Sequence, residues 1–166
     1  IRADLFGEEK TRCHYEERAS VALLTLEDEG LNGYSFKMFQ DLDHAILKAR
    51  FNPNIEAIVI TGAGEHFCAG ANIKMLEAAD PVSKYYFCLH ANETLLRLEH
   101  TPKLTIAALG GHCVGGGLEV ALACDIRIAE EQAALALPEA RVGLLPCAGG
   151  TQRLTQLVGE GWAKRM

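Results

Sequence analysis

No stretch of the 166-residue sequence approaches the roughly 18 consecutive apolar residues that cross a bilayer. Residues 1–10 also lack the apolar core, about 7 to 15 residues long, of a secretory signal. Export and membrane insertion are therefore not expected. The six cysteines (Cys13, Cys68, Cys88, Cys113, Cys124 and Cys147) contain no Cys-x-x-Cys spacing. Several lie in apolar segments, where a thiol behaves as a small core side chain, so all six are expected to be reduced and inert. A chain of this length with 49% hydrophobic residues needs no disulfide staples to hold a core, and an intracellular compartment follows. A basic surplus is missing too: 16 Lys and Arg stand against 22 Asp and Glu, for a net charge of -6 and a pI near 5.5. That balance excludes a broad phosphate-neutralising face for DNA or RNA. None of the six histidines has a second histidine or a cysteine at ligand spacing on a shared helix face, so no metal site is expected. Gly-Lys-Ser and Gly-Lys-Thr do not occur, which removes the P-loop, and the third glycine of a dinucleotide fingerprint beginning at Gly62 falls on Phe67. Exact repeats and low-complexity linkers are likewise absent.

What is present is an alternation of strand and helix signals. Residues 21–26 form a short apolar run that ends in the polar turn Glu27-Asp28-Glu29-Gly30. Ser35 then offers a helix cap, and Phe36, Phe39, Leu42, Ile46 and Leu47 recur at helical spacing up to Asn52-Pro53. Residues 55–60, nearly continuous in Ile, Val and Ala, suit a strand buried on both faces and run into Thr61-Gly62-Ala63-Gly64. Asp80-Pro81 opens a second long helix, which Thr101-Pro102 stops. Residues 104–109 predict a third strand, followed by five glycines within residues 110–117 and a short helix over 118–124. Two short strands over 125–129 and 133–137 and a last helix over 150–158 complete a single α/β domain spanning residues 1–166.

Two of these strands deliver a glycine-bearing loop to the start of a helix, where backbone N–H groups are left unpaired and can face an incoming oxygen. One such loop is explained by tight turns alone; a pair can build an oxyanion hole. Glu119 has Gly115, Gly116, Leu122 and Ala123 as its neighbours three and four positions away, a small and apolar face unlike that of a solvated glutamate. Glu139 follows Pro138 after an apolar strand and by itself reads as a carboxylate complementing a helix start. As a pair, two carboxylates from separate segments can differ in pKa and divide the roles of acid and base.

Phe67-Cys68-Ala69-Gly70-Ala71-Asn72-Ile73-Lys74 resembles the first signature of the crotonase (enoyl-CoA hydratase/isomerase) family. Residues 115–127, Gly-Gly-Gly-Leu-Glu-Val-Ala-Leu-Ala-Cys-Asp-Ile-Arg, are similar to the second. Pro138-Glu139, Gly143-Leu144-Leu145-Pro146 and residues 148–154 are similar to the third. The resemblance runs from about residue 21 to residue 164, and it implies a crotonase-like spiral of repeated β-β-α units whose C-terminal helical part is absent from this chain. It implies an enoyl-CoA hydratase acting on an unsaturated acyl-CoA, with no cofactor beyond the coenzyme A of the substrate. Assembly as a homotrimer or a dimer of trimers is implied for the full-length protein, in the cytoplasm, or in the mitochondrial matrix of a eukaryote.

Carried onto this sequence, the resemblance puts the amides of Ala71 and Gly116 on the thioester oxygen, each such donor worth about 2.7 to 4 kcal/mol of barrier. Glu119 would deprotonate the water that attacks Cβ, and Glu139 would give the proton to Cα. Ala69, Gly70, Ile73, Lys74 and Gly115 would contact substrate, with Lys74 either on a phosphate of coenzyme A or a solvated helix lysine. Isomerases of the family commonly keep only the second carboxylate, so both together favour hydration over a Δ3,Δ2-enoyl-CoA isomerase or a silent relative. One hydratase of the family binds RNA and is similar over residues 118–127, but the acidic balance here disfavours that role. The sequence departs from the family at Asn72, where Asp is usual, at Leu137, where Gln is frequent, and at Cys147, which replaces a common small residue.

Overall fold

The computed structural model describes residues 10–166. In chain order its elements are β1 (Cys13–Arg18), β2 (Val21–Leu26), a single turn α1 (Glu29–Asn32), α2 (Phe36–Phe51), β3 (Ala57–Gly62), α3 (Ile73–Ala78), α4 (Pro81–Glu99), β4 (Leu104–Leu109), β5 (His112–Val114), α5 (Gly116–Leu122), β6 (Ile126–Ala129) and β7 (Ala134–Ala136). A 3-10 turn (Pro138–Val142) and α6 (Gly150–Arg165) close the order. Five strands form one sheet in the order β1-β2-β3-β4-β6, parallel throughout except for the antiparallel edge pair β1-β2. The strands β5 and β7 make a separate parallel pair.

Local chemistry accounts for the helices. The Ser35 hydroxyl accepts from the Met38 amide at the start of α2, and Phe39, Leu42, Ile46 and Ala49 then recur along its buried face. Asp80 caps α4 through the Ser83 amide at 2.9 Å, with Pro81 at the first helical position. Asn72, where the family usually has Asp, performs the same service for α3 by accepting from Met75 N at 3.1 Å. The last helix runs on past its expected end to Arg165, with a break at Gly159 (φ 78°).

The core lies against one face of the sheet. Leu24, Ile58, Ile60 and Ala107 are fully buried there, together with Phe39, Ile46 and Leu95 from α2 and α4. Residues 55–60 do not form the strand buried on both faces that their nearly continuous apolar run suggests: Ile58 and Ile60 are buried while Val59 between them is only partly covered. The described elements cover one face, and on the other Leu104, Ile126 and Ile128 remain 45%, 43% and 61% exposed. Periodicity cannot separate these cases, because an apolar run is compatible with either degree of cover.

Asn32 ties the first glycine loop to this frame. Its amide donates to Ala63 O at 2.9 Å and His66 O at 2.7 Å, and its carbonyl accepts from Asp28 N at 3.2 Å. It is buried and holds a left-handed φ of 53°, a conformation that Asn tolerates better than most residues. Replacing Asn32 by Ala leaves the Ala63 and His66 carbonyls without this donor and is expected to cost about 2 kcal/mol. Urea denaturation measures this, and an unchanged midpoint would contradict it.

Candidate active site

Both glycine loops meet at one cavity of about 450 Å³. Ala69, Gly70, Ala71 and Ile73 line it from the first loop, Gly115, Gly116 and Glu119 from the second, and Glu139 from the 3-10 turn. The strand-like pairing of Tyr34 with Ala71 fixes the first loop: Tyr34 N donates to Gly70 O at 2.9 Å, and Asn72 N to Tyr34 O at 3.0 Å. Alternation along the backbone turns the intervening Ala71 amide away from Tyr34. Neither the Ala71 nor the Gly116 amide has an acceptor among the described residues.

Glycine is required where the loops touch. A Cβ on Gly116 would lie 1.9 Å from the Tyr34 ring, and one on Gly117 would lie 2.2 Å from Cys68 O. The α5 N-terminus therefore seats directly against the first loop. At Gly115 (φ 56°) a Cβ would also meet Glu139 Oε1 at 3.1 Å, which places this carboxylate beside the turn that delivers Gly116 and Glu119.

Glu119 is 1% exposed, and its Oε1 accepts from Ala148 N and Gly150 N, both at 2.8 Å. Arg153 steadies this anchoring loop by donating to Ala148 O at 2.9 Å while paired with Glu99 at 2.9 Å. Burial pushes the Glu119 carboxyl above its ordinary value; the two amides pull it back, and the nearby charge of Glu139 raises it further. Glu139 is also raised by burial, and its buried Oε2 has no hydrogen-bond partner among the described residues.

Of the residues singled out in the sequence, only Lys74 stands apart. It lines an adjoining polar cleft with Arg12, Asp28, Glu29, Gly33, Asn72 and Ile73, and Ile73 alone borders both spaces. The structure adds Tyr34, Phe87, Cys88, Leu144, Leu145 and Cys147 to the main cavity, and the Ala148 and Gly150 amides as the anchor of Glu119. The glycine pair Gly149-Gly150 at a helix start was a visible signal for that anchor; Phe87 carried none beyond apolar character.

The family model described as enoyl-CoA hydratase/isomerase matches residues 16–166. The chain belongs to the enoyl-CoA hydratase/isomerase family. Within the family, it is 37% identical over 153 residues to a short-chain-enoyl-CoA hydratase of Clostridium acetobutylicum, covering 91% of this chain and 59% of that one. Its fold is the crotonase fold. The structure of Pseudomonas aeruginosa DspI superposes with a TM-score of 0.91 at 43% identity, over 96% of this chain and 66% of that one. The enoyl-CoA hydratase of Thermoplasma volcanium does so with 0.89 at 39% identity, over 95% and 63%. The chain spans between 56% and 59% of the length of three bacterial relatives that it matches. Among the described residues, no helix is long and apolar enough to cross a membrane, and no group of three His, Cys, Asp or Glu side chains is placed to hold a metal.

Glu119 has a folded-state pKa above its ordinary 4.5, so it opposes folding when ionised. The protonated form folds most readily; stability is highest below the unfolded value and is lost as pH rises through the folded one. A Glu119→Gln variant lacks this penalty. Its stability relative to wild type is expected to grow as pH rises from 4 to 8, read from urea midpoints, whereas a constant difference would contradict the burial argument (pH range about that of carboxylate titration).

Proposed function

We propose that the protein is an enoyl-CoA hydratase, adding water across the 2,3 double bond of an unsaturated acyl-CoA. The observation that carries this reading is the gathering of two unlike carboxyl groups, Glu119 and Glu139, and two unclaimed amides, Ala71 and Gly116, around one largely apolar cavity. The thioester oxygen accepts from Ala71 N–H and Gly116 N–H, which are fixed before negative charge develops on it. The α-carbon then tolerates enolate character, and the β-carbon becomes open to attack by water.

The environments of the two carboxyls divide the work. Two N–H donors on Glu119 Oε1 fix this carboxyl in place and offset part of the burial that raises it, so that it orients water and takes its proton as the oxygen bonds to Cβ. Glu139, whose carboxyl burial raises, gives a proton to Cα. One proton is taken and one given, and exchange across the shared cavity restores the pair. Each step uses groups of the chain, with coenzyme A entering as part of the substrate. The apolar side chains Phe87, Leu144 and Leu145 on the cavity wall suit an acyl chain, and the cleft holding Lys74 suits the polar end of the ligand. Relatives named short-chain-enoyl-CoA hydratase and crotonyl-CoA hydratase, 37% and 33% identical, support hydration. Assembly as a trimer or a dimer of trimers is part of the same proposal.

A Δ3,Δ2-enoyl-CoA isomerase would use Glu139 alone to shuttle a proton. Crotonyl-CoA hydration and the shift of a 3-enoyl-CoA, assayed side by side, separate the two activities. Glu119→Gln and Glu139→Gln are each expected to lower hydration about 10²- to 10⁴-fold while acyl-CoA still binds. Full turnover in either variant, or a fast isomerisation that survives Glu119→Gln without any hydration in wild type, would overturn the hydratase assignment.

A further inference from the structure

Two thiols share the cavity wall with the carboxyl groups. Cys88 comes from the middle of α4, and Cys147 from the loop that leads into α6. The amide of Asn92 donates to the carbonyls of both, at 2.8 Å to Cys88 O, so a single side chain clamps the two backbones together. Their thiols are close enough to affect one another's titration. The neighbouring Cys147 thiol draws the Cys88 thiol down to about 7 against the effects of burial and of the Glu119 charge, while Cys147 is pushed up. Both are free and only half-buried. The other four are at most 5% exposed. Burial pushes Cys13 and Cys124 up to about 12, Cys68 to about 11, and Cys113 upward as well. Since the thiolate is the nucleophile, those four buried thiols are the less reactive ones.

We propose that Cys88 and Cys147 form an oxidative modification site, closed to an intramolecular disulfide by a small-molecule disulfide and shutting the acyl side of the cavity. The Cys88 thiolate attacks one sulfur of the reagent, breaking its S–S bond and releasing one thiolate. Cys147 then loses its proton and attacks the Cys88 sulfur of the mixed disulfide, releasing the second. The protein loses two electrons and two hydrogens, and the reagent is reduced to two thiols. Cys147 directly precedes Ala148, whose amide holds Glu119, so a bond to α4 restrains the loop that positions this carboxyl. The effect on turnover rests on the hydratase reading; the bond and its effect on acyl-CoA binding do not.

The test treats the full chain with glutathione disulfide, alkylates the remaining thiols and maps peptides by mass, following crotonyl-CoA hydration and butyryl-CoA binding in parallel. The cross-linked Cys88–Cys147 peptide is expected to accumulate first. Butyryl-CoA affinity should fall with it, and turnover should drop on the order of a hundredfold, the scale of a displaced catalytic group. Dithiothreitol should restore both. Cys88→Ser should prevent the reaction, and Cys147→Ser should stop it at a glutathione adduct on Cys88. Earlier reaction of another cysteine, failure of the cross-link to form, or a cross-link that leaves butyryl-CoA affinity unchanged would overturn the proposal. A protein without hydration before treatment, yet losing butyryl-CoA affinity as the cross-link forms, would support the site while removing the hydratase reading.

Discussion

The close seating of Gly116 and Gly117 on Tyr34 and the Cys68 carbonyl is the contact on which the site depends. Without side chains at those two positions, the first turn of α5 reaches the loop of residues 68–72, which brings the Ala71 and Gly116 amides to the same cavity. The same contact sets the start of α5, and so decides where Glu119 points one turn along. Tyr34 is itself held by Phe39 and Phe87, with ring centroids 5.0 and 5.6 Å away, so the surface that receives the glycines is part of the core. A packing interaction thus becomes a placement of donors, and the precision of the site is inherited from the rigidity of the core.

Electrostatics completes what packing begins. Burial raises both carboxyls, yet their partners differ: Glu119 receives two backbone donors from the loop before α6, and Glu139 leaves one oxygen unpartnered. The Glu99–Arg153 pair lies behind the first arrangement, holding the carbonyl of Ala148 so that its amide faces Glu119. Two glutamates of identical chemistry acquire unlike tendencies because one environment supplies donors and the other supplies mainly desolvation.

Much of this was legible from residues. Helix α2 with its Ser35 cap, α4 with Asp80-Pro81, and β4 at residues 104–109 follow from caps, proline and apolar spacing, which are local signals. The strand β1 was not visible because only Cys13 of its six residues is buried and its charged side chains give no alternation. The strand β5 was hidden in a glycine-rich stretch, being three residues long and paired with the equally short β7 and with the single residue Cys68. For the site, the three motifs located the glycine loops and both carboxylates. The contribution of Cys88 depends on a partner 59 positions further along, and the separation of Lys74 from the cavity depends on the turn into α3; neither has a local signature.

A structure with a bound 3-hydroxyacyl-CoA tests the central claim most directly. The account predicts the thioester oxygen within about 2.7 to 3.1 Å of both Ala71 N and Gly116 N, with the 3-hydroxyl between the carboxyl groups of Glu119 and Glu139. A thioester oxygen held elsewhere, or a β-carbon out of reach of both glutamates, would contradict it.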